Sequence, residues 1–334
     1  MNENLKKVVV TGSAGYLGSA MTYELLQLNY DVIGIDNYSN SSDINTKILK
    51  KTFKEHFVFF ELDIAKELKN LNKIFAIYQP DIVIHFASLK SVEESMISPN
   101  LYLDNNINGT KNLVESMKKN GCKNIIYSSS AAVYGNQEKL PINETANLNP
   151  ISVYAESKLI CEDIIREESS KKNLNSIILR YFNPIGYHKS GLFSYEIQNK
   201  TPTIINKIIK AAINKDTTLY LYGKDYNTID GTCVRDFIDI EDLIDAHLKS
   251  LDYISITNGS IIFNIGTGKP LTILELTKKF MKYNNLKLNY SFKDKKIGDI
   301  ESSYADVTKI KKTIGWESKI SIKRMLINIW LQSN

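Results

Sequence analysis

Apolar residues come in short runs through the first half of this chain, and each run ends in small, hydroxyl or acidic residues. Leu5-Lys6-Lys7-Val8-Val9-Val10 opens the series, followed by Asp31-Val32-Ile33-Gly34-Ile35, 57–61 and Asp81-Ile82-Val83-Ile84-His85-Phe86. Ile125-Ile126-Tyr127 and Ser176-Ile177-Ile178-Leu179 complete it. Runs this short, apolar on both faces, predict strands buried in a sheet. Between them, helical periodicity predicts helices over about 16–29 and 99–120, and a lysine-rich surface helix around 47–54. His85, inside a buried strand, reads as a core histidine. Strands alternating with helices define an α/β class, a doubly wound parallel (Rossmann) sheet with ligands at the carboxyl strand ends.

After Pro184 the rhythm changes. Residues 188–203 are polar, irregular and tyrosine-bearing, which predicts a loop entering a smaller α/β domain. Beyond it the pattern predicts a helix at 203–214, a strand at 218–222 and a helix at 241–251. A strand at 261–265 and a helix at 273–283 follow. The expected division is 1–184 for a dinucleotide and 185–334 for a substrate, with segments near 240–265 packing back onto the first.

Composition narrows the function classes. The chain has 334 residues, 43% hydrophobic, enough for one large core or two ordinary ones. No apolar run approaches the ~18 residues of a membrane span. The start lacks the apolar core and cleavage site of a signal peptide, so a cytoplasmic location is expected. Three scattered cysteines (Cys122, Cys161, Cys233) suit a reducing compartment, and no spacing of Cys or His suggests a metal. The net charge of +5 comes from dispersed lysines, which argues a solvated surface rather than a nucleic-acid face.

Two constellations carry chemistry. Gly12, Gly15 and Gly18 lie between the first strand and its helix, where they permit a tight turn, close approach of a pyrophosphate and close helix–strand contact. Asp36 ends the second strand, placed for ribose hydroxyls and hostile to a 2′-phosphate, so NAD is favoured over NADP. Asp63 and Ile64 follow the third strand. Lys90 lies past the fourth, placed for a phosphate.

The second constellation is Ser128-Ser129-Ser130 after the fifth run, then Tyr154 and Lys158. Pro150 and Ser152 predict a helix start, so Tyr154 and Lys158 share one face a turn apart. A phenol ionises near pH ~10, and an ammonium within ~4–6 Å, helped by the helix N-terminus, is expected to lower that value. Composition alone would produce about two Tyr-x-x-x-Lys pairs. Tyr220/Lys224 and Tyr283/Lys287 are such pairs, but only Tyr154/Lys158 follows a serine-ended strand.

These residues, with Arg180-Tyr181-Phe182-Asn183-Pro184, Asp225-Tyr226-x-Thr228-x-Asp230-Gly231-Thr232 and Val234-Arg235-Asp236, resemble the extended short-chain dehydrogenase/reductases. Within them the chain is most similar to UDP-glucose/UDP-galactose 4-epimerases, along nearly its whole length. The resemblance implies a homodimer with tightly held NAD that oxidises a UDP-hexose at C4 and returns the hydride to the other face.

Carried over by motif, Gly12, Gly15, Tyr16 and Leu17 would cradle the pyrophosphate, and Asp36 and Asn37 the adenosine ribose. Asp63, Ile64, Phe86, Ala87, Lys90, Asn105, Ser128 and Tyr181 would complete the pocket, with Lys158 on the nicotinamide ribose. Tyr154, Lys158 and Ser130 would be catalytic. Ser130, Tyr154, Asn183, Asn199, Tyr222, Arg235, Lys296, Asp299 and Ser303 would meet the UDP-sugar. Three positions depart from the family's pattern: Ser88 for Gly, Ala132 for Thr, and Lys296 for an Arg on the diphosphate. The 188–203 segment aligns poorly, so Asn199 is the weakest assignment.

Ser303 stands where the family places a gate beside the sugar's C2 substituent. A small side chain there implies acceptance of UDP-N-acetylglucosamine as well as UDP-glucose. Two alternatives share the scaffold: a nucleotide-sugar dehydratase or decarboxylase, and a non-catalytic NAD-binding protein. The first needs an acid beside the catalytic hydroxyl, where this chain has Ala131-Ala132, and the second usually loses Tyr or Lys of the pair.

Overall fold

The computed structural model describes residues 7–193, 203–214, 216–296 and 299–333. Seven parallel strands form the central sheet, in the order β11-β6-β5-β4-β1-β2-β3. They are β1 (Lys7–Thr11), β2 (Asp31–Asp36), β3 (Phe57–Glu61), β4 (Ile82–His85), β5 (Asn124–Ser130), β6 (Asn175–Tyr181) and β11 (Ser260–Ile265). The chain order reverses direction between β1 and β4, so the carboxyl ends of those strands open a crevice between the helices.

Each strand is apolar on both faces because helices cover both. Val8 and Val10 of β1 point into a core shared with Met21 and Leu25 of helix Tyr16–Gln27 and Leu243 of helix Ile240–Ile254. Val9, between them, points the other way, onto Leu71, Leu113 and Ile165 of helices Leu68–Tyr78, Gly109–Lys119 and Val153–Ser170. Period-2 alternation thus divides one strand between two cores. A separate core gathers Ile185, Ile208, Leu221, Phe237, Leu276, Phe280 and Leu326. Around it lie short sheets built from β7 (Asn183–Ile185), β8 (Leu219–Tyr222), β9 (Val234–Arg235), β10 (Phe237–Asp239), β12 (Leu271–Thr272), β13 (Tyr290–Lys293) and β14 (Ser302–Ser303).

Two elements differ from the sequence reading. The helix expected over 99–120 is present from Pro99 to Lys119 but carries a π-helical turn at Asp104–Asn108, and a short helix the sequence did not predict, Val92–Ile97, precedes it. Asn106 in that turn accounts for it. Its side chain accepts from Leu89 N at 2.9 Å and donates to Leu89 O at 3.2 Å and Ser157 Oγ at 2.9 Å, so the backbone bulges to deliver it inward. The fifth strand is longer than its apolar run. It continues through Ser128, Ser129 and Ser130, because β6 supplies ladder partners as far as Tyr181.

Candidate active site

Gly12 adopts φ +72°, and a Cβ there would lie 2.7 Å from the Ala87 nitrogen. At Gly18 a Cβ would meet the Gly12 carbonyl oxygen at 2.0 Å. Both contacts are backbone to backbone, so the turn closes only with glycine. Gly15 is different. Its φ is −76°, and a Cβ would touch only the Gly12 carbonyl, at 3.3 Å, standing otherwise in open space. That open space belongs to a cavity of about 320 Å³.

All sixteen residues expected at the cofactor line this cavity. The glycine turn brings Gly12, Gly15, Tyr16 and Leu17, and the end of β2 brings Asp36 and Asn37. Asp63 and Ile64 follow β3, Phe86, Ala87 and Lys90 follow β4, and Asn105 comes from the π turn. Ser128, Tyr154, Lys158 and Tyr181 close the far end. The buried Asp36 carboxylate accepts from Ala14 N at 3.0 Å, Tyr38 N at 2.9 Å and Ser41 Oγ at 2.9 Å. Burial pushes its pKa up, against the lowering effect of these bonds. His85 accordingly stays a core residue, bound at 2.7 Å to Thr11 Oγ1 and 3.1 Å to Thr110 Oγ1, and burial lowers its pKa to about 3.

A second cavity, of about 500 Å³, adjoins the first. Lys90, Ser130, Tyr154, Tyr181 and Phe182 line both, so the two spaces meet at the Tyr154 phenol. Asn183, Tyr222, Arg235, Lys296, Asp299 and Ser303 line the second. Asn199 lies outside the described residues. Arg235 Nη2 donates to Asp299 Oδ1 at 2.5 Å, and Lys296 pairs with Glu93 from helix Val92–Ile97. The basic residues expected on a diphosphate are therefore each held by a carboxylate. Glu93 and Lys207, which sequence reasoning missed, line the same wall. Lys207 and Lys296 lie 5.3 and 4.6 Å from the centre of the Tyr222 ring.

Ser152 caps helix Val153–Ser170, accepting from Ala155 N at 3.2 Å, and this places Tyr154 in the first turn. The Ser130 hydroxyl lies near the Tyr154 phenol, close enough to favour its ionised form, and Lys158 Nζ donates to Ser128 O at 2.8 Å. The expected lowering of the Tyr154 pKa by Lys158 is not what the geometry produces. Burial raises the phenol's pKa, and the opposing influence is the nearby Ser130 hydroxyl. Lys158 is itself fully enclosed, and burial depresses its ammonium to about 8. Tyr181 bonds His247 Nε2 at 2.5 Å, and burial lifts its pKa far above the ordinary phenol value.

A crevice of this shape, with Ser, Tyr and Lys between a dinucleotide-sized cavity and a cation-lined one, defines a doubly wound NAD-dependent enzyme. Residues 8–266 match the NAD-dependent epimerase/dehydratase family, and the chain belongs to it. It is 38% identical to the UDP-glucose 4-epimerase of Bacillus subtilis, over 97% of this chain and 95% of that one. The UDP-glucose 4-epimerase of Stenotrophomonas maltophila, solved with NAD and formylated UDP-arabinopyranose, superposes with a TM-score of 0.93. It is 32% identical, with 98% of each chain covered. The UDP-Glc/GlcNAc 4-epimerase of Campylobacter jejuni superposes at 0.84, with 31% identity and coverage of 98% and 99%.

Proposed function

We propose that this protein is an NAD-dependent 4-epimerase of UDP-hexoses, interconverting UDP-glucose with UDP-galactose and UDP-N-acetylglucosamine with UDP-N-acetylgalactosamine through a 4-keto sugar. The observation that carries this reading is the sharing of Ser130, Tyr154 and Tyr181 by the two cavities. A phenol at the junction of a dinucleotide site and a sugar site can exchange a proton with a sugar hydroxyl. The residues present fit NAD: the space above Gly15 is one a Cβ would fill, and the Asp36 carboxylate at the β2 end disfavours a 2′-phosphate. When bound, NAD would supply the hydride acceptor for C4 and the hydride for its return.

Within the chain, Tyr154 as its phenolate would receive the C4 hydroxyl proton as the hydride leaves, and return it to the same oxygen when the hydride comes back to the other face of C4. Ser130 holds the same oxygen, and Lys158 keeps a positive charge beside the site below its pKa of about 8. Residues 1–184, with the segment 240–265 whose strand β11 joins the central sheet, hold NAD in this reading. The remainder, around its own core, holds the UDP-sugar.

Acceptance of the N-acetylated sugar rests on Ser303, small and only 8% exposed in the wall of the second cavity, and on the likeness to the Campylobacter jejuni enzyme. A dehydratase would need a free acid beside Ser130. The acids lining this cavity, Glu93 and Asp299, are both paired with cations. Incubation with a UDP-hexose and no added reductant tests the reading. An epimer supports it, a 4-keto-6-deoxy product means a dehydratase, and no product means a binding protein.

A homodimer and a cytoplasmic setting belong to the same proposal. Met96, Ile97 and Leu101 on the short helices Val92–Ile97 and Pro99–Leu103 are 57, 81 and 52% exposed, an apolar patch that a second copy would cover. All three cysteines are free and buried, and no helix among the described residues is long and apolar enough to cross a membrane.

A further inference from the structure

Tyr154, Lys158 and Glu162 stand at i, i+4 and i+8 on helix Val153–Ser170, one stripe facing the end of β5. Each has its own rung on the strand. Tyr154 meets the Ser130 hydroxyl, Lys158 the Ser128 carbonyl, and Glu162 the Ser129 hydroxyl. Glu162 lines neither cavity and is 0% exposed. Its carboxylate is gripped by Arg180, with Nε at 3.0 and 3.2 Å from the two oxygens and Nη2 at 2.6 Å. Arg180 of β6 is the register partner of Ser129 in β5 and of Asn264 in β11. Its guanidinium lies 4.8 Å from the centre of the Tyr134 ring, whose hydroxyl donates to Asn264 Oδ1 at 2.7 Å.

We propose that Glu162 and Arg180 are a positioning pair, which sets the height of the catalytic helix against β5 so that Tyr154 reaches Ser130. The proposal rests on Tyr154 as the proton carrier described above. A buried ion pair is a poor device for stability, because desolvating both charges offsets their attraction, and apolar residues of similar volume hold a core as well. What it supplies here is registration. Glu162 is tied to Ser129 and to the next strand at once, so the helix cannot slide or turn without breaking charged hydrogen bonds. One residue of slip is 1.5 Å along the axis, enough to separate a phenol from its hydroxyl partner.

The test uses Ser129→Ala, which removes the β5 rung and leaves the ion pair, and Glu162→Gln, which keeps the shape and removes the charge. With the NAD-loaded enzyme and UDP-glucose, both should lose about 10- to 100-fold in kcat while KM stays within about twofold. Ser129→Thr, which keeps the hydroxyl, should recover most of the loss. In ring-labelled tyrosine NMR, with the signal assigned by Tyr154→Phe, the Tyr154 pKa should rise in both variants as the phenol moves away from the Ser130 hydroxyl. Wild-type kcat and wild-type Tyr154 titration in Ser129→Ala overturn the proposal, whatever happens to its melting temperature, and that variant decides alone if Glu162→Gln does not fold. Absence of turnover by the wild type on any UDP-hexose would instead overturn the epimerase reading, while the Tyr154 titration would still report on the positioning.

Discussion

In the proposed reaction, the chemistry rests on Tyr154 and the choice of sugar on Ser303. Removing the phenol leaves the glycine turn and Asp36 untouched, so Tyr154→Phe should keep its NAD yet lose at least about 10²- to 10⁴-fold in kcat. Dinucleotide content of the purified variant, measured beside turnover, checks both halves. Ser303 sits in β14, register partner of Arg235 in β9, so its side chain is fixed by a strand rather than a loop. In Ser303→Tyr a ring would fill the space an acetamido group needs. The kcat/KM ratio of UDP-N-acetylglucosamine to UDP-glucose should fall at least about tenfold, the lower end of what one pocket contact discriminates. An unchanged ratio would remove Ser303 from the specificity argument. Lys158 adds a pH signature. Its folded pKa of about 8 lies below the unfolded value of about 10.5, so the folded chain binds fewer protons between those limits and stability rises with pH across them. Lys158→Met removes that group, so its advantage in denaturant midpoint over wild type should shrink as the pH is raised from 8 to 10.

At the scale of elements, the glycine turn was legible because its demands are local. Strand, three glycines, helix and a terminal acid all fall within Val8 to Asp36, and backbone sterics alone assign each glycine a purpose. Those purposes differ, which makes a prediction. Gly18→Ala drives a Cβ into the Gly12 carbonyl and should not yield a folded protein. Gly15→Ala asks that carbonyl only to yield slightly, so it should fold and melt close to wild type without cofactor, but bind NAD at least about tenfold more weakly. Equal NAD affinity in Gly15→Ala would place the pyrophosphate elsewhere. The full length of β5 and the π turn at Asp104–Asn108 were not legible. The apolar run ends at Tyr127 and only the β6 ladder carries the strand on through the serines, while the apolar spacing of 99–120 carries no mark of Asn106 reaching across to Leu89 and Ser157.

Across the whole molecule, what escaped the sequence is what the tertiary fold brings together from distant segments. Lys296 was read as a diphosphate contact, but its partner Glu93 is 203 positions away, and no periodicity links the two. Lys207 was hidden in a helix whose other face supplies Ile205, Ile208 and Ile209 to the separate core. Together they set the charge of the second cavity. Lys90, Lys207, Arg235 and Lys296 supply four positive charges and Glu93 and Asp299 two negative, leaving a balance of two that suits a nucleoside diphosphate. Glu93 is the acid this balance can spare. Its carboxylate is held below the usual range by the Lys296 hydrogen bond, yet Glu93 is 61% exposed, and so open a pair contributes little to stability. An arriving diphosphate must draw Lys296 away from it and tolerate the remaining negative charge. Glu93→Gln frees that lysine and removes the repulsion. It should lower KM for UDP-glucose about three- to tenfold, leave kcat within about twofold, and steepen the rise of KM with salt, since the larger positive balance attracts the diphosphate more and that attraction is screened. A KM that rises in Glu93→Gln would mean the pair closes over the bound sugar nucleotide rather than competing with it.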